Sequence, residues 1–121
     1  GYAYYAANKD KLRVVAVDGG KGPVVPTEVT INSGAYAPLS RPVFIYVRPD
    51  ALDRKEVRAF VNFYIESAPM LATEVGYIPL PDSVYKRAML RVETREMGTA
   101  YHDGAMPQSA DLLADKEYPH E

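Results

Sequence analysis

The sequence contains no cysteine and no tryptophan, and only 2 of its 121 residues are histidine. Without cysteine, the chain can form neither a disulfide framework nor a thiolate zinc site. No apolar run approaches the ~18 residues that a membrane-spanning helix needs, and no charged-then-apolar secretory leader is present. If the protein is exported, we expect its leader to belong to a longer precursor.

An excess of one charge is also lacking, because 14 basic and 16 acidic residues give a formal net charge of −2. Such a balance does not attract nucleic acid or an anionic lipid surface. A chain of this length fits one small domain that buries about two-thirds of its unfolded surface. Tyrosine and proline are plentiful, with 10 of each. Tyrosine buries its ring while its hydroxyl keeps a polar partner, so we expect several tyrosines at packing surfaces that are partly exposed to water.

No set of catalytic or metal-binding residues is recognisable. The serines stand in no G-x-S-x-G elbow. The glycine cluster at residues 19–22 lacks the Ser or Thr that follows the lysine of a phosphate loop, and we interpret it as a surface turn. His102 and Asp103 are the only neighbouring His–carboxylate pair, whereas a metal site needs three or four converging ligands. We therefore predict no catalytic residue, no metal, no cofactor and no enzymatic activity.

Two short apolar segments are typical of β-strands. Residues 12–17 (LRVVAV) are rich in β-branched side chains and end at a turn over residues 18–23 that contains Gly and Pro. Residues 42–47 (PVFIYV) are apolar on both faces. This second pattern predicts a central strand that is covered on both sides.

Short helices are predicted for residues 4–10 and 27–33. Pro26 suits the first turn of the second helix, and Gly34 is expected to end it in a left-handed conformation. Beyond Arg95 the pattern weakens: it indicates an extended segment at 98–101, a short helical turn at 109–114 and a frayed end at 116–121.

Two longer helices are predicted near residues 54–68 and 81–93. Asp53 is the expected N-cap of the first, with Glu56 placed to complete a capping box. Pro69 is expected to interrupt it, and residues 70–75 add a turn or two that ends at Gly76. Each helix carries one apolar stripe that needs a shared sheet face, so the fold class is α/β with a small sheet flanked by helices. The stripes comprise Val57, Phe60, Val61, Tyr64 and Ile65, and Val84, Tyr85, Ala88, Met89 and Val92.

Four segments, in this order and at this spacing, resemble the C-terminal third of the phosphate-binding protein of bacterial phosphate ABC importers. Members of that family are two-lobed periplasmic solute-binding proteins of the type II class. The segments are residues 1–6 (GYAYYA), 25–34 (VPTEVTINSG), 39–47 (LSRPVFIYV) and 77–81 (YIPLP). The similarity runs from Gly1 to about residue 92, and more loosely to Tyr101.

The resemblance implies a partial type II periplasmic-binding-protein-like fold. Residues 1–38 would be a remnant of the second lobe, residues 39–95 the C-terminal part of the first lobe with the crossover strand, and residues 96–121 a tail. Leu39, Ser40, Arg41 and Pro42 would form the interlobe crossover.

The implied function is that of the substrate-binding component of a high-affinity phosphate importer, which captures phosphate between its lobes and delivers it to the membrane permease. The implied location is periplasmic or at the cell surface. The family's phosphate ligands belong to segments that would lie upstream of Gly1, so no phosphate-binding residue is assigned in this chain.

Several alternatives stay open at the level of sequence. Arg41 could bind an oxyanion bidentately or pair with a carboxylate at the crossover. The receptor could take another tetrahedral oxyanion, or the chain could be a stand-alone interaction module that kept the scaffold without transport. Because the strands that would cover residues 12–17 are missing, an apolar edge is expected there, and with it a homo-oligomer formed through residues 1–38.

Overall fold

The computed structural model describes residues 1–99. The expectations for Tyr101, for the His102–Asp103 pair and for residues 109–121 lie outside the described residues. In chain order, the elements are α1 (Tyr2–Ala6), β1 (Val17–Asp18), β2 (Pro23–Val24), α2 (Glu28–Asn32), a 3₁₀ helix (Pro49–Asp53), α3 (Lys55–Glu74) and α4 (Asp82–Thr94). None of the described helices is both long and apolar enough to cross a lipid bilayer.

The two strands form a small antiparallel hairpin in which Val17 pairs with Val24. Its turn is held by the carboxylate of Asp18, which accepts hydrogen bonds from the backbone N–H groups of Gly20 (2.8 Å) and Gly22 (3.0 Å). Both glycines have positive φ values, 101° and 97°, which side chains disfavour. The predicted turn is confirmed. The predicted strand over residues 12–17 is wrong except at Val17, because residues 12–16 have no strand partner in the described part of the chain.

Residues 42–47 do not form the central strand that the sequence predicts. No strand is present there, and the backbone groups of Val43, Ile45 and Val47 make no hydrogen bond within residues 1–99. Phe44 is half-buried and Ile45 is 40% exposed. A β-ladder requires a neighbouring strand, and the described residues supply none beside this segment.

The helix predicted to break at Pro69 instead continues as α3 to Glu74. An internal proline removes one helical hydrogen bond and crowds the preceding turn, which costs about 3 kcal/mol. The helix bridges the position, and the Thr73 hydroxyl donates to the Pro69 carbonyl oxygen at 3.1 Å. Gly76, with φ of 80°, follows the helix end as predicted.

The start of α3 differs from the predicted capping box. Asp53 ends the 3₁₀ helix, and its carboxylate accepts a hydrogen bond from Arg95 at 2.5 Å. The N-cap residue is Arg54, which makes no side-chain cap bond, and the Glu56 carboxylate binds the Arg54 guanidinium. Both carboxylates are therefore engaged by arginines, and the predicted Asp53–Glu56 capping box does not form.

The core lies between α3, α4 and the 3₁₀ helix. Leu52, Val61 and Ile65 are buried at its centre, and the stripe of α4 packs against them as predicted, with Val84 also buried. The predicted stripe of α3 is wrong at two positions, since Phe60 is 63% exposed and Tyr64 is 40% exposed. The partly buried residues around the core are Val47, Val57, Tyr85, Ala88, Met89 and Val92.

The short helices follow from local capping chemistry. In α2, the Thr27 hydroxyl accepts a hydrogen bond from the Thr30 backbone N–H while the Thr30 hydroxyl accepts one from the Thr27 N–H, a reciprocal capping box. Pro26 therefore precedes the cap and is not in the first turn. Gly34 adopts a φ of 74°, which confirms the predicted left-handed end. Helix α1 begins two residues earlier than predicted and ends at Ala6.

Candidate functional site

The predicted crossover residues lie in the loop after α2. Ser40 is the one buried polar side chain of the described chain, with 9% of its surface exposed. Its backbone N–H and its hydroxyl both donate to the carbonyl oxygen of Tyr36, at 3.1 Å and 2.7 Å. The Tyr36 N–H in turn donates to the Thr30 carbonyl oxygen of α2 at 2.8 Å. The serine therefore fixes the loop to the helix, and its hydroxyl is occupied by backbone.

The other crossover residues face solvent to different degrees. Leu39 is 59% exposed, Arg41 is exposed and Pro42 is half-buried. No described carboxylate lies within ion-pair distance of Arg41, and no described polar group converges on it. Leu39, Ser40, Arg41 and Pro42 thus do not form a closed binding site within residues 1–99.

The glycine turn packs against this same loop. A Cβ atom added at Gly19 would lie 2.6 Å from the carbonyl oxygen of Ala37, which is closer than real Cβ contacts. Glycine at this position lets the hairpin turn and the crossover loop approach each other. Gly19 therefore serves packing, whereas Gly20 and Gly22 supply the positive φ values of the turn. Helix α2 starts only later, at Glu28.

The N-terminal third also contacts the connector between α3 and α4. The Asn32 side-chain amide donates to the Pro79 carbonyl oxygen at 3.1 Å, in a partly buried position. A Cβ atom at Gly76 would lie 2.7 Å from that of Ala3. These two contacts hold α1 and α2 against the end of α3.

Arginine side chains cluster on α4, which the sequence reasoning missed. The guanidinium groups of Arg87 and Arg91 both approach the Glu96 carboxylate, at 2.9 Å and 3.3 Å, and all three side chains are less than one-third exposed. The signal was available, because arginines four residues apart lie on one helix face and a carboxylate follows the helix end. The cluster joins α4 to the segment that leaves it.

Two exposed ion pairs flank the start of α3. Hydrogen bonds from Arg48, and more weakly its positive charge, hold the pKa of the Asp50 carboxyl below its ordinary value. The pKa of the Glu56 carboxyl is also lowered, first by a backbone N–H and then by Arg54. Both pairs are solvent-exposed, so they are screened and contribute little to stability. Among residues 1–99, no three metal-ligating side chains come together.

Helix α3 exposes a second apolar stripe that lies about a third of a turn away from its buried one. We call it the outer stripe; it comprises Phe60, Phe63, Tyr64, Met70 and Leu71. Its members follow helical spacing, so they share one face. The sequence reasoning combined part of this stripe with the core stripe. The apolar residues of α3 can be separated into two stripes, each with a spacing of 3 to 4 residues. This separation would have shown that α4 alone cannot cover both stripes.

Comparison with known proteins finds relatives for most of the chain, while no protein-family model matches it. Protein SphX of Synechocystis sp. is 43% identical over 102 residues, which are 84% of this chain and 30% of SphX. Phosphate-binding protein PstS of Staphylococcus haemolyticus is 42% identical over 88 residues, 71% of this chain and 28% of PstS. The crystal structure of a possible phosphate-binding protein from Planctomyces limnophilus superposes with a TM-score of 0.70 at 44% identity, over 78% of this chain and 34% of that protein.

The described architecture is therefore part of a periplasmic-binding-protein fold. Within that class, the chain is homologous to a C-terminal portion of phosphate-binding protein PstS and of protein SphX. It spans about 30% of the length of the curated relatives that it matches. The α/β fold class and the family resemblance read from the sequence are confirmed.

Proposed function

We propose that this chain is a portion of the substrate-binding component of a high-affinity phosphate ABC import system. In this role the intact receptor, in the periplasm or at the cell surface, captures inorganic phosphate between two lobes and delivers it to the membrane permease. The supporting observation is the agreement of sequence and shape: 42% identity to a phosphate-binding protein and a TM-score of 0.70 with a possible one. No catalytic role is part of this proposal.

The proposed division of the chain assigns residues 1–38 to one lobe and residues 39–95 to the other, with the crossover at residues 39–42. The Ser40–Tyr36 bonds support a defined crossover geometry, because both donors of Ser40 reach the same carbonyl oxygen. The phosphate ligands are proposed to come from other segments of the receptor. In this portion, the chain supplies the scaffold that positions those segments.

The test is the complete reading frame that contains this chain. We expect it to encode an export leader and the segments that hold phosphate, and its product to bind phosphate with micromolar affinity or better by titration calorimetry. Sulfate and arsenate titrations are the comparison. A preference for sulfate would support a receptor for another tetrahedral oxyanion. A reading frame that starts near Tyr2 and whose product binds no oxyanion would support a stand-alone interaction module instead.

We further propose that the separate 121-residue chain forms a homodimer or larger assembly through residues 1–38. Several large apolar side chains of this segment are exposed in the described structure, and exposed apolar patches of this kind mark association sites. They are Tyr4, Leu12, Val15, Val25 and Val29. Sedimentation at micromolar concentration tests the proposal. A monomer whose residues 12–17 resist hydrogen exchange would contradict it.

A further inference from the structure

The connector between α3 and α4 contains a hydrogen-bond acceptor that is fixed at both sides. The Tyr77 N–H donates to the Ala72 carbonyl oxygen of α3 at 2.7 Å, and the Leu80 N–H donates to the Tyr85 hydroxyl of α4 at 3.1 Å. Pro79 lies between these two attachments, and its ring fixes its own φ. The Pro79 carbonyl group therefore moves together with α3 and α4 as one body.

Helix α2 carries a donor that is fixed in the same way. Asn32 is the last residue of α2, and the start of the crossover is bound to this helix through Tyr36. The Tyr36 N–H donates to the Thr30 carbonyl oxygen, and Ser40 donates twice to the Tyr36 carbonyl oxygen. A rotation of the chain about a point after Ser40 would thus leave the Asn32 amide with α2 and move it relative to Pro79.

Two contacts join these bodies. The Asn32 amide donates to the Pro79 carbonyl oxygen at 3.1 Å, and a hydrogen bond is lost when its atoms separate beyond about 3.5 Å. Beside it, Ala3 and Gly76 lie so close that a Cβ atom on Gly76 would be 2.7 Å from that of Ala3. All four residues are half-buried. The bond resists separation of the two bodies, and the close packing resists their further approach.

We propose that the Asn32–Pro79 and Ala3–Gly76 contacts form a latch between the two lobes, which favours one lobe arrangement and thereby sets the affinity for phosphate without touching it. We call them the interlobe latch. In the proposed division, residues 1–38 and 39–95 belong to different lobes, so both contacts cross from one lobe to the other. A ligand that is enclosed by two lobes binds with an affinity that depends on the population of the enclosing arrangement. This inference rests on the proposed function and on that division of the chain.

Two variants of the complete receptor disrupt the interlobe latch in different ways. Asn32→Ala removes the amide donor, and Ala3→Leu places a larger side chain in the close contact. Each variant has a matched control. Asn8→Ala removes an amide that donates to the Tyr4 carbonyl oxygen at 2.8 Å, a bond within residues 1–38. Ala6→Leu adds the same volume at an exposed position of α1, the helix that carries Ala3.

Two measurements on each variant test the coupling. Titration calorimetry with phosphate gives the Kd, and spin labels at Glu28→Cys and Lys86→Cys, both exposed positions, give the distance between the lobes. We expect each latch variant to change the Kd by at least about 3-fold, the scale of one partly buried hydrogen bond, and each control by less than about 2-fold.

The direction of these changes is also constrained. Both latch variants should shift the Kd in the same direction, because both disrupt the same arrangement. In the receptor without phosphate, the label distance should move away from its phosphate-bound value if the Kd rises and toward that value if the Kd falls.

Several outcomes would overturn the inference. An unchanged Kd with a lowered Tm in the latch variants would assign the contacts to stability alone. Opposite shifts of the Kd in Asn32→Ala and Ala3→Leu, or equal shifts in a variant and its control, would also contradict a shared latch. Should Ala3→Leu fail to fold, Asn32→Ala and Asn8→Ala carry the comparison.

The label distance separates this inference from the proposed function. A complete receptor that binds no oxyanion would count against the function, and the distance between the labels would still test the latch. An unchanged distance distribution in the folded latch variants would then overturn the latch, whereas a shifted or broadened distribution would support it.

Discussion

Gly76 and Ala3 lie so close together that a Cβ atom on Gly76 would be 2.7 Å from the Cβ of Ala3. The contact joins the residues that end α3 to the first helix of the chain, 73 positions earlier. Gly76 also has a φ of 80°, a backbone conformation that favours glycine. Two separate constraints therefore select glycine at this junction.

We expect Gly76→Ala to lower the free energy of unfolding by about 2–4 kcal/mol, because left-handed strain and the overlap with Ala3 add together. Urea denaturation measures the change. The matched control is Gly20→Ala, where φ is 101° but no atom lies within 4 Å of the added methyl group. It should lose only the strain, about 1–2 kcal/mol. Equal losses for the two variants would show that the Ala3 contact does not constrain the fold.

The division of α3 into a core stripe and an outer stripe predicts opposite responses at adjacent positions. Val61 is 3% exposed and Phe60 is 63% exposed. We expect Val61→Ala to lower the free energy of unfolding by about 1.5–2.5 kcal/mol, since two buried methyl groups are lost. Phe60→Ala should change it by less than about 0.5 kcal/mol in the separate chain. Denaturation curves should show a larger loss of unfolding free energy for Val61→Ala than for Phe60→Ala. A larger loss for Phe60→Ala would mean that its ring is buried.

The arginine cluster on α4 gives a prediction about partly buried charge. Replacing Glu96 by Gln removes the negative charge that faces Arg87 and Arg91, and we expect a loss of about 1–3 kcal/mol. Asp53→Asn is the control, because the Asp53–Arg95 pair is 67% and 45% exposed. It should lose less than about 1 kcal/mol. If thermal unfolding ranks the two variants the other way, the Glu96 cluster does not stabilise the end of α4.

The Arg48–Asp50 pair predicts a specific pH dependence. The lowered pKa of Asp50 means that its contribution to stability is present above the ordinary carboxyl range and is lost as the pH falls through the lowered value. An NMR titration of the Asp50 carboxyl carbon should place its midpoint below that of an unfolded peptide. Arg48→Gln should return the midpoint to the ordinary range, whereas Arg54→Gln should affect Glu56 and leave Asp50 unchanged. No response to Arg48→Gln would refute the assigned cause.

Phosphate binding by the separate chain is expected to be weak, with a Kd in the millimolar range or above. A single exposed arginine such as Arg41, together with one or two helix ends, provides at most about 4 kcal/mol, which corresponds to millimolar affinity. Titration calorimetry with phosphate is the measurement, and Arg41→Gln is the variant that should remove any residual signal. Micromolar binding by the separate chain would reveal a complete site within these 121 residues.

Local sequence signals were sufficient for several elements. Gly34 and Gly76 end their helices as predicted, because a left-handed helix end depends on residues only a few positions apart. The Thr27–Thr30 capping box that starts α2 is equally local, but the sequence analysis placed Pro26 in the first turn instead. The apolar stripe of α4 was correct in every member, since one partner helix covers it. The Pro69 prediction was wrong because a helix can continue through a proline at a local cost, and α3 runs on to Glu74.

The crossover at residues 39–42 stays a prediction from the resemblance, and the contacts of these residues could not be read from sequence. That Ser40 gives both of its donors to Tyr36, and that Gly19 lies against Ala37, depends on how two loops approach each other in space. The arginine cluster was missed, although the four-residue spacing of Arg87 and Arg91 and the carboxylate of Glu96 after the helix end are local features.

The sequence by itself determined the family, the order of the helices, the turn after Val17 and the glycine ends of α2 and α3, since each of these is encoded by neighbouring residues or by similarity to known chains. Only the tertiary structure decided which apolar surfaces are covered. Residues 42–47 have the composition of a central strand and α3 has the composition of a helix buried on two sides, yet within residues 1–99 the strand has no ladder and the helix buries one apolar stripe. Strand pairing and burial both require partners that are distant in the chain. Composition therefore predicts the tendency to form a strand or to be buried, and the available partners decide whether the strand pairs and the stripe is covered.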